Sequence, residues 1–333
     1  MPQARKYQVA PEVTPYYHCI SRCVRRAFLC GYDRLTERSF EHRRQWIVDR
    51  LKALVQAFAV DICAYAIMNN HFHLVIKIQR EQALDWSRDE VIERWTQLFS
   101  TPYLVARYQS GERLSSAEEE ALVTLTETWR ERLHSLSWFM RALNEPIARM
   151  ANQEDGCTGR FWEGRFTSQA LLDEAALLTA MAYVDLNPIR AGLAETPEAS
   201  DFTSIQARIQ TLTVEHGPVT VEQVERPALQ PFQDSPANAQ TIPFNFSDYL
   251  ELVDWTGRAV RPDKRGAISS QQPPILIRLG IDARQFIRHM KPRPHSGFHR
   301  VIGKLDRIKH AAENFGMKFF KGQAYAAKLF STT

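Results

Sequence analysis

Residues 61–78 read DICAYAIMNNHFHLVIKI. Two apolar runs flank the turn-forming pair Asn69 and Asn70, which predicts a β-hairpin. On the second arm a period of two sends His71, His73, Val75 and Lys77 to one face and Phe72, Leu74, Ile76 and Ile78 to the other. The apolar set is expected to be buried. Two imidazoles at adjacent positions of one face make a half-site for a divalent metal that lacks one or two further ligands. Taken alone, His-x-His fits a pair of structural histidines at least as well.

Working outward, residues 15–24 (PYYHCISRCV) are aromatic, β-branched and alternating, and predict a strand that runs into Arg25 and Arg26. From Ser39 to about Ala59 apolar residues recur at helical spacing. Residues 80–135 are polar, acidic and helix-prone, an inserted helical arm, and a further helix is expected from Leu136 to about Ala151. The alternating large residues of GRFWEGRFTSQAL (159–171) predict another strand. Asp173 is placed to cap a helix over DEAALLTAMAYVDL, which ends near Asn187 and Pro188, with Gly192 closing the next turn. Tyr183 and Asn187, four residues apart, share one face of that helix. If the helix covers the histidine face, the Asn187 oxygen can complete a metal site and Tyr183 stands beside it. A residue before proline avoids the helical region, however, so Asn187 can equally cap a new turn begun by Pro188.

The composition, 44% hydrophobic and 24% charged over 333 residues, excludes a disordered chain and suffices for two domains. No apolar run spans a bilayer and no leader is visible, so a cytoplasmic protein is expected. Five cysteines without a CxxC pair argue against a disulfide framework or a zinc knuckle. Residues 255–333 carry 16 Lys/Arg against 4 Asp/Glu, a charge of +12, which leaves −8 on residues 1–254. Such a basic segment suits a polyanion, or is a solvated tail. The Pro- and Gln-rich stretch 217–245 reads as a linker. The expected division is therefore 1–216, linker 217–245 and a basic domain 246–333. In that domain WTGRAVRPDKRGA (255–267) reads as an extended loop and 274–330 as a small helical unit.

Four blocks, YYHCISRCVRRAF, YAIMNNHFHLVIK, GRFWEGRF and AYVDLNPIRAGL, together resemble the REP-associated tyrosine transposases, a branch of the single-tyrosine HUH transposases. The resemblance covers about residues 14–195, and LELVDWTGRAVRPDKRGAI looks like a phrase of the longer members. It implies an α+β fold, a ferredoxin-like antiparallel sheet with helices, in which His71 and His73 match the metal-binding histidines and Tyr183 the nucleophile. Asn187 matches the polar residue one turn beyond. It further implies a cytoplasmic, nucleoid-associated bacterial protein that cleaves hairpin-containing single-stranded DNA through a 5′-phosphotyrosine, with Mg²⁺ or Mn²⁺. Monomer and homodimer both fit. Arg22, Arg25 and Arg26, together with Arg160 and Arg165 around Phe161 and Trp162, combine charge with stacking surface and are candidate DNA contacts, with Lys77 on the histidine face. Two rivals are a catalytically silent protein that binds the same repeats and a zinc hydrolase, the latter needing further His and Asp ligands.

Overall fold

Hydrophobic alternation in the hairpin becomes the middle of a sheet closed in by helices on both faces. The computed structural model describes residues 9, 11–24, 29–33, 37–216, 226–233, 241–260, 301–302, 304–314, 323 and 327. In chain order these form β1 (Tyr16–Arg22), β2 (Tyr32–Asp33), β3 (Arg38–Ser39), α1 (Arg43–Ala57), β4 (Val60–Ile67) and β5 (His71–Ile78). The inserted region holds α2 (Arg80–Asp85), α3 (Arg88–Thr96), α4 (Tyr103–Gln109) and α5 (Ser116–Leu133). After it come α6 (Leu136–Glu154), β6 (Thr167–Leu171), α7 (Glu174–Asp185), α8 (Asn187–Arg190), α9 (Ser204–His216), α10 (Phe246–Val260), β7 (Val301–Ile302) and α11 (Leu305–Asn314).

The sheet order is β4-β5-β1-β6-β7. The first four strands are antiparallel, and β7 joins β6 in parallel. With α1 between β1 and β4, and α6 between β5 and β6, this is the β-α-β-β-α-β connectivity of a ferredoxin-like α+β fold.

One face packs on α1 and α6. Phe72, Leu74 and Ile76 lie on it fully buried, as the alternation requires, and Asn144 of α6 donates to Ser21 Oγ of β1 at 2.9 Å. Helix α1 buries Ile47, Val48, Leu51, Leu54 and Ala57 at helical spacing. It also buries Arg43, whose guanidinium lies 4.2 Å over the Phe40 ring and pairs with Glu154 at 2.6 Å and with Asp155. Arg44 reaches the other way, to the Ile67 carbonyl and to Asn69 Oδ1 at 2.6 Å, so α1 holds the hairpin turn. The turn also accepts Cys30 N–H on Asn69 O and Cys23 N–H on Asn70 O, both at 2.9 Å. Gly31, at φ +101°, sits so close to Asn69 that a Cβ would lie 3.3 Å from its carboxamide.

The other face is covered by α7. Asp173 caps its first turn, accepting Ala176 N–H at 2.8 Å. Ten of its twelve residues are buried, so it is an interior helix with no solvent side. Its second side is taken by α10, which brings in fully buried Tyr249. Asp185, at the end of α7, accepts Ser204 Oγ at 2.5 Å, Ile205 N–H at 2.9 Å and Tyr249 Oη at 2.6 Å. Burial pushes its carboxyl up to about 6, against these three donors.

Three sequence expectations change. Only Thr167–Leu171 of the stretch 159–171 is strand, because adjacent Phe161 and Trp162 both turn toward the protein. The described parts of the supposed linker are packed rather than free: Gln230 N–H donates to Ile62 O of β4 at 2.8 Å, and Phe232 and Ile242 are buried. Trp255–Val260 is helix rather than loop, since Tyr249, Leu252, Val253 and Thr256 form one buried face. Gly257 permits that contact, for a Cβ there would lie 3.2 Å from Leu186. The inserted region is helical as expected, and its Trp95 stacks on Trp129 at 5.1 Å. Most of the basic segment 255–333 lies outside the described residues. No helix among the described residues is long and apolar enough to cross a membrane.

Tyr249→Phe removes one donor from a buried carboxylate, and is expected to lower the unfolding free energy by about 1–3 kcal/mol in urea titration. An unchanged denaturation midpoint would show that the bond contributes nothing.

Candidate active site

The register of β1 between β5 and β6 assembles the polar groups under α7. Arg22 lies opposite His71, Ile20 opposite His73, and His18 opposite Val75 on one side and Gln169 on the other. His71 and His73 therefore share a face with His18. Their ring centroids are 4.8 Å apart for His71 and His73 and 5.2 Å for His18 and His73. The Tyr183 ring of α7 stands over them, 5.5 Å from His73 and 5.8 Å from His18. Residues 71, 73 and 183, read separately in the sequence, thus meet in one place.

Hydrogen bonds fix how the imidazoles present themselves. Gln169 Oε1 faces His18 Nδ1 at 3.3 Å, which puts the proton on that nitrogen. His18 Nε2, 2.9 Å from His73 Nδ1, then accepts a hydrogen bond from it. The lone pair of His73 is left on Nε2, which is buried with no hydrogen-bond partner among the described residues. His71 Nδ1 lies 2.6 Å from Asn70 Oδ1, so it too carries a proton and frees Nε2. Ring nitrogens oriented in this way by a neighbour are the usual state of metal-ligating histidines.

Both imidazoles are held neutral. Burial, and then the Arg22 charge, push His71 down to about 4. Burial, followed by His18, His71, Arg22 and Arg190, pushes His73 well below the ordinary histidine value. Neutral imidazole is the form that ligates.

Chain geometry at Asn187 follows neither of its two readings in full: a new turn does begin here, but Leu186 is its cap residue and Asn187 its first helical residue. Helix α7 stops at Asp185, and a separate turn, α8, starts at Asn187 with Pro188 in its first positions. The Asn187 amide nitrogen donates to the Tyr183 carbonyl at 3.1 Å, so the oxygen is the end of the side chain that remains. Gly192, at φ +68°, closes the following turn. Two imidazoles and one amide oxygen suit a divalent cation. Among the described residues no three His, Cys, Asp or Glu side chains form a metal-holding group.

The candidate DNA contacts separate. Arg22 is exposed beside His71. Arg160 and Arg165 are exposed on the loop whose Glu163 N–H donates to Arg22 O at 2.9 Å. Arg25 and Arg26 lie outside the described residues. Lys77 is buried, with its ammonium 5.8 Å over the Tyr16 ring, at the far end of β5 from the histidines. Phe161 is buried, and Trp162 is half-buried with its indole N–H on Asn144 O at 2.9 Å. These two rings belong to the packing and are not the stacking platforms expected from the sequence.

Two residues of the site escaped sequence reading. His18 lies 55 positions before its partner His73, although its period-two spacing from Tyr16, Ile20 and Arg22 put it on the same face of its strand. Arg190 lies seven positions after Tyr183, two helical turns on, and its guanidinium carbon sits 4.8 Å over the Tyr183 ring.

No family model and no curated protein matches the sequence. Among solved structures the chain is similar to one described as a REP-associated tyrosine transposase bound to a REP hairpin. The identity is 11%, the TM-score 0.37, and the match covers 69% of this chain and 100% of that one.

The depressed histidines set a pH dependence. An unfolded imidazole titrates near 6.5 and folded His71 near 4. Between these values the unfolded chain binds more protons, so folded stability falls as pH falls. Without added metal, the loss between pH 6.5 and 4 is expected to be smaller in His71→Asn than in wild type, a comparison in which the opposing contribution of Asp185 cancels. Coincident pH profiles of unfolding free energy would show that His71 is not held neutral.

Proposed function

We propose that this chain cuts single-stranded DNA beside a hairpin and rejoins it, with Tyr183 as the nucleophile. The observation that carries the reading is a half-buried phenol ring centred 5.5 Å from an imidazole whose remaining nitrogen is buried and has no partner among the described residues. Leaving such an acceptor dry costs on the order of 1–3 kcal/mol, which favours ligand binding over packing as the role of His73. The sequence blocks that resemble the REP-associated tyrosine transposases contain these same residues.

A phenol with a reference pKa of about 10 is a weak nucleophile at neutral pH. His71, His73 and the Asn187 oxygen would hold Mg²⁺ or Mn²⁺, which when bound supplies Lewis-acid polarisation of a phosphate oxygen. Tyr183 is carried on a helix fixed on both sides, so its backbone is held beside the imidazoles without a large entropy cost, and only the side chain has to turn. The phenol oxygen attacks phosphorus in line with the 3′ oxygen. One P–O bond forms as the other breaks, the phenol proton passes through solvent to the departing 3′ oxygen, and the 5′ end stays on the protein as a phosphodiester. Attack by another 3′ hydroxyl reverses the step and joins new ends without ATP. Arg22, Arg160 and Arg165 flank the entrance as exposed cations suited to the DNA backbone.

Wild type incubated with hairpin-bearing single-stranded DNA and Mn²⁺ is expected to give a covalent band stable to denaturant. Tyr183→Phe should bind the same DNA and give none. Equal adduct from both excludes Tyr183, and binding without adduct in wild type points to a silent DNA-binding protein. His18→Phe removes the acceptor that fixes the His73 tautomer, and is expected to weaken Mn²⁺ binding about ten- to a hundredfold by electron paramagnetic resonance titration. Unchanged Mn²⁺ affinity would move the ion away from His73.

A further inference from the structure

Arg190 stands out as a buried cation with no counterion among the described residues. The side chain as a whole is half-buried, but all three guanidinium nitrogens are shut off from solvent and have no hydrogen-bond partner among the described residues. Burial pushes it down to about 10, so it stays charged at neutral pH. Among the described residues relief comes from the Tyr183 ring face, 4.8 Å from the guanidinium carbon. The charged groups that weigh most on Arg190, His71 and His73 among the described residues are Arg22, the imidazoles and one another, with the Tyr183 phenol. The pocket under α7 therefore gathers positive and neutral groups around an unpaired charge.

Leaving a buried charge unpaired costs several kcal/mol, and a well-packed apolar side chain of the same length avoids that cost. A guanidinium kept in such a place fits an anion that arrives from outside, and its planar fork of N–H donors matches two oxygens of a phosphate. We propose that Arg190 binds the non-bridging oxygens of the phosphodiester attacked by Tyr183, taking the phosphate in exchange for the phenol ring that covers it. The proposal rests on the transesterase reading above and adds a residue to it. In the structure the Tyr183 ring lies against the guanidinium. To present its oxygen to phosphorus the ring must leave that position, which bares the N–H donors as the phosphate enters. The cation then stabilises the negative charge spread over the phosphate oxygens during attack, in a site where water does not screen it. Placement supports this division of labour: Tyr183 is on the last turns of α7, Arg190 ends the short turn α8, and Leu186 between them keeps helical dihedrals, so a spacing of seven residues brings the two side chains to one side.

Arg190→Met keeps the length and removes the charge. Its adduct formation on the hairpin substrate with Mn²⁺ is expected to slow about a hundredfold, while its melting temperature stays level or rises. A second measurement needs neither metal nor DNA. Dimethyl phosphate, the simplest phosphodiester, is added in EDTA against sodium chloride of equal ionic strength, and is expected to raise the melting temperature of wild type but not of Arg190→Met. The proposal is overturned if the variant forms adduct at the wild-type rate. It is overturned equally if the variant melts well below wild type or fails to fold, since the guanidinium is then a structural partner. It also falls if dimethyl phosphate protects both proteins or neither. Absence of adduct in wild type, with protection that depends on Arg190, would retain the anion site and discard the cleavage reading instead.

Discussion

One packing constraint governs the interior: α7 is apolar all round and must be covered on both sides. The sheet supplies one cover and α10 the other, and the polar groups that anchor the helix from outside it sit at its ends. At its start Asp173 caps the first turn and also accepts the Lys304 N–H at 2.8 Å. At its end Asp185 gathers three donors. Between these anchors the rotation of the helix is not adjustable, and the direction in which Tyr183 points follows from it. Strand alternation does the same for the other partner. Because β5 repeats every two residues, sending Phe72 and Leu74 into the α1/α6 core obliges His71 and His73 to face α7.

Electrostatics then separates this layer from an ordinary core. A buried imidazole cluster alone would be unremarkable, since neutral histidines pack well when bonded to one another. Among the described residues the cluster ends in an acceptor without a hydrogen-bond donor on one side and a guanidinium without a hydrogen-bond partner on the other, with a phenol between them. These are groups of opposite electrostatic demand, since the first favours a cation beside it and the second an anion.

The hairpin, the helix capped by Asp173 and the helical insertion were legible because each is signalled locally, by alternation, by a cap or by helical spacing. The His71, His73 and Tyr183 grouping was legible only as a conditional, since nothing in a single strand says which helix covers it. His18 was missed because its role depends on a strand pairing that spans 55 residues, and Arg190 because its lack of partners is a property of the folded interior. Residues 159–166 were misread for a different reason. Alternation of large side chains suggests a pleat only when alternate residues face alternate ways, and Phe161 and Trp162 are neighbours whose rings meet at 4.9 Å. The stretch 255–267 was read as an extended loop, whereas its first six residues end α10 and Gly257 marks a close approach to Leu186 at the end of α7.

The double anchoring of α7 also imposes an order on the chain's own synthesis. Residues 174–185 leave the ribosome long before Tyr249 and Lys304, the groups that complete the contacts of Asp185 and Asp173. A nascent polypeptide can therefore form the hairpin and the imidazole cluster, yet it holds the tyrosine-bearing helix with one side bare and a buried carboxylate short of a donor. The helix that carries Tyr183 acquires all its anchors only after residue 304 has emerged, so that a prematurely terminated product carries the whole imidazole and phenol cluster and lacks part of the scaffold that holds it.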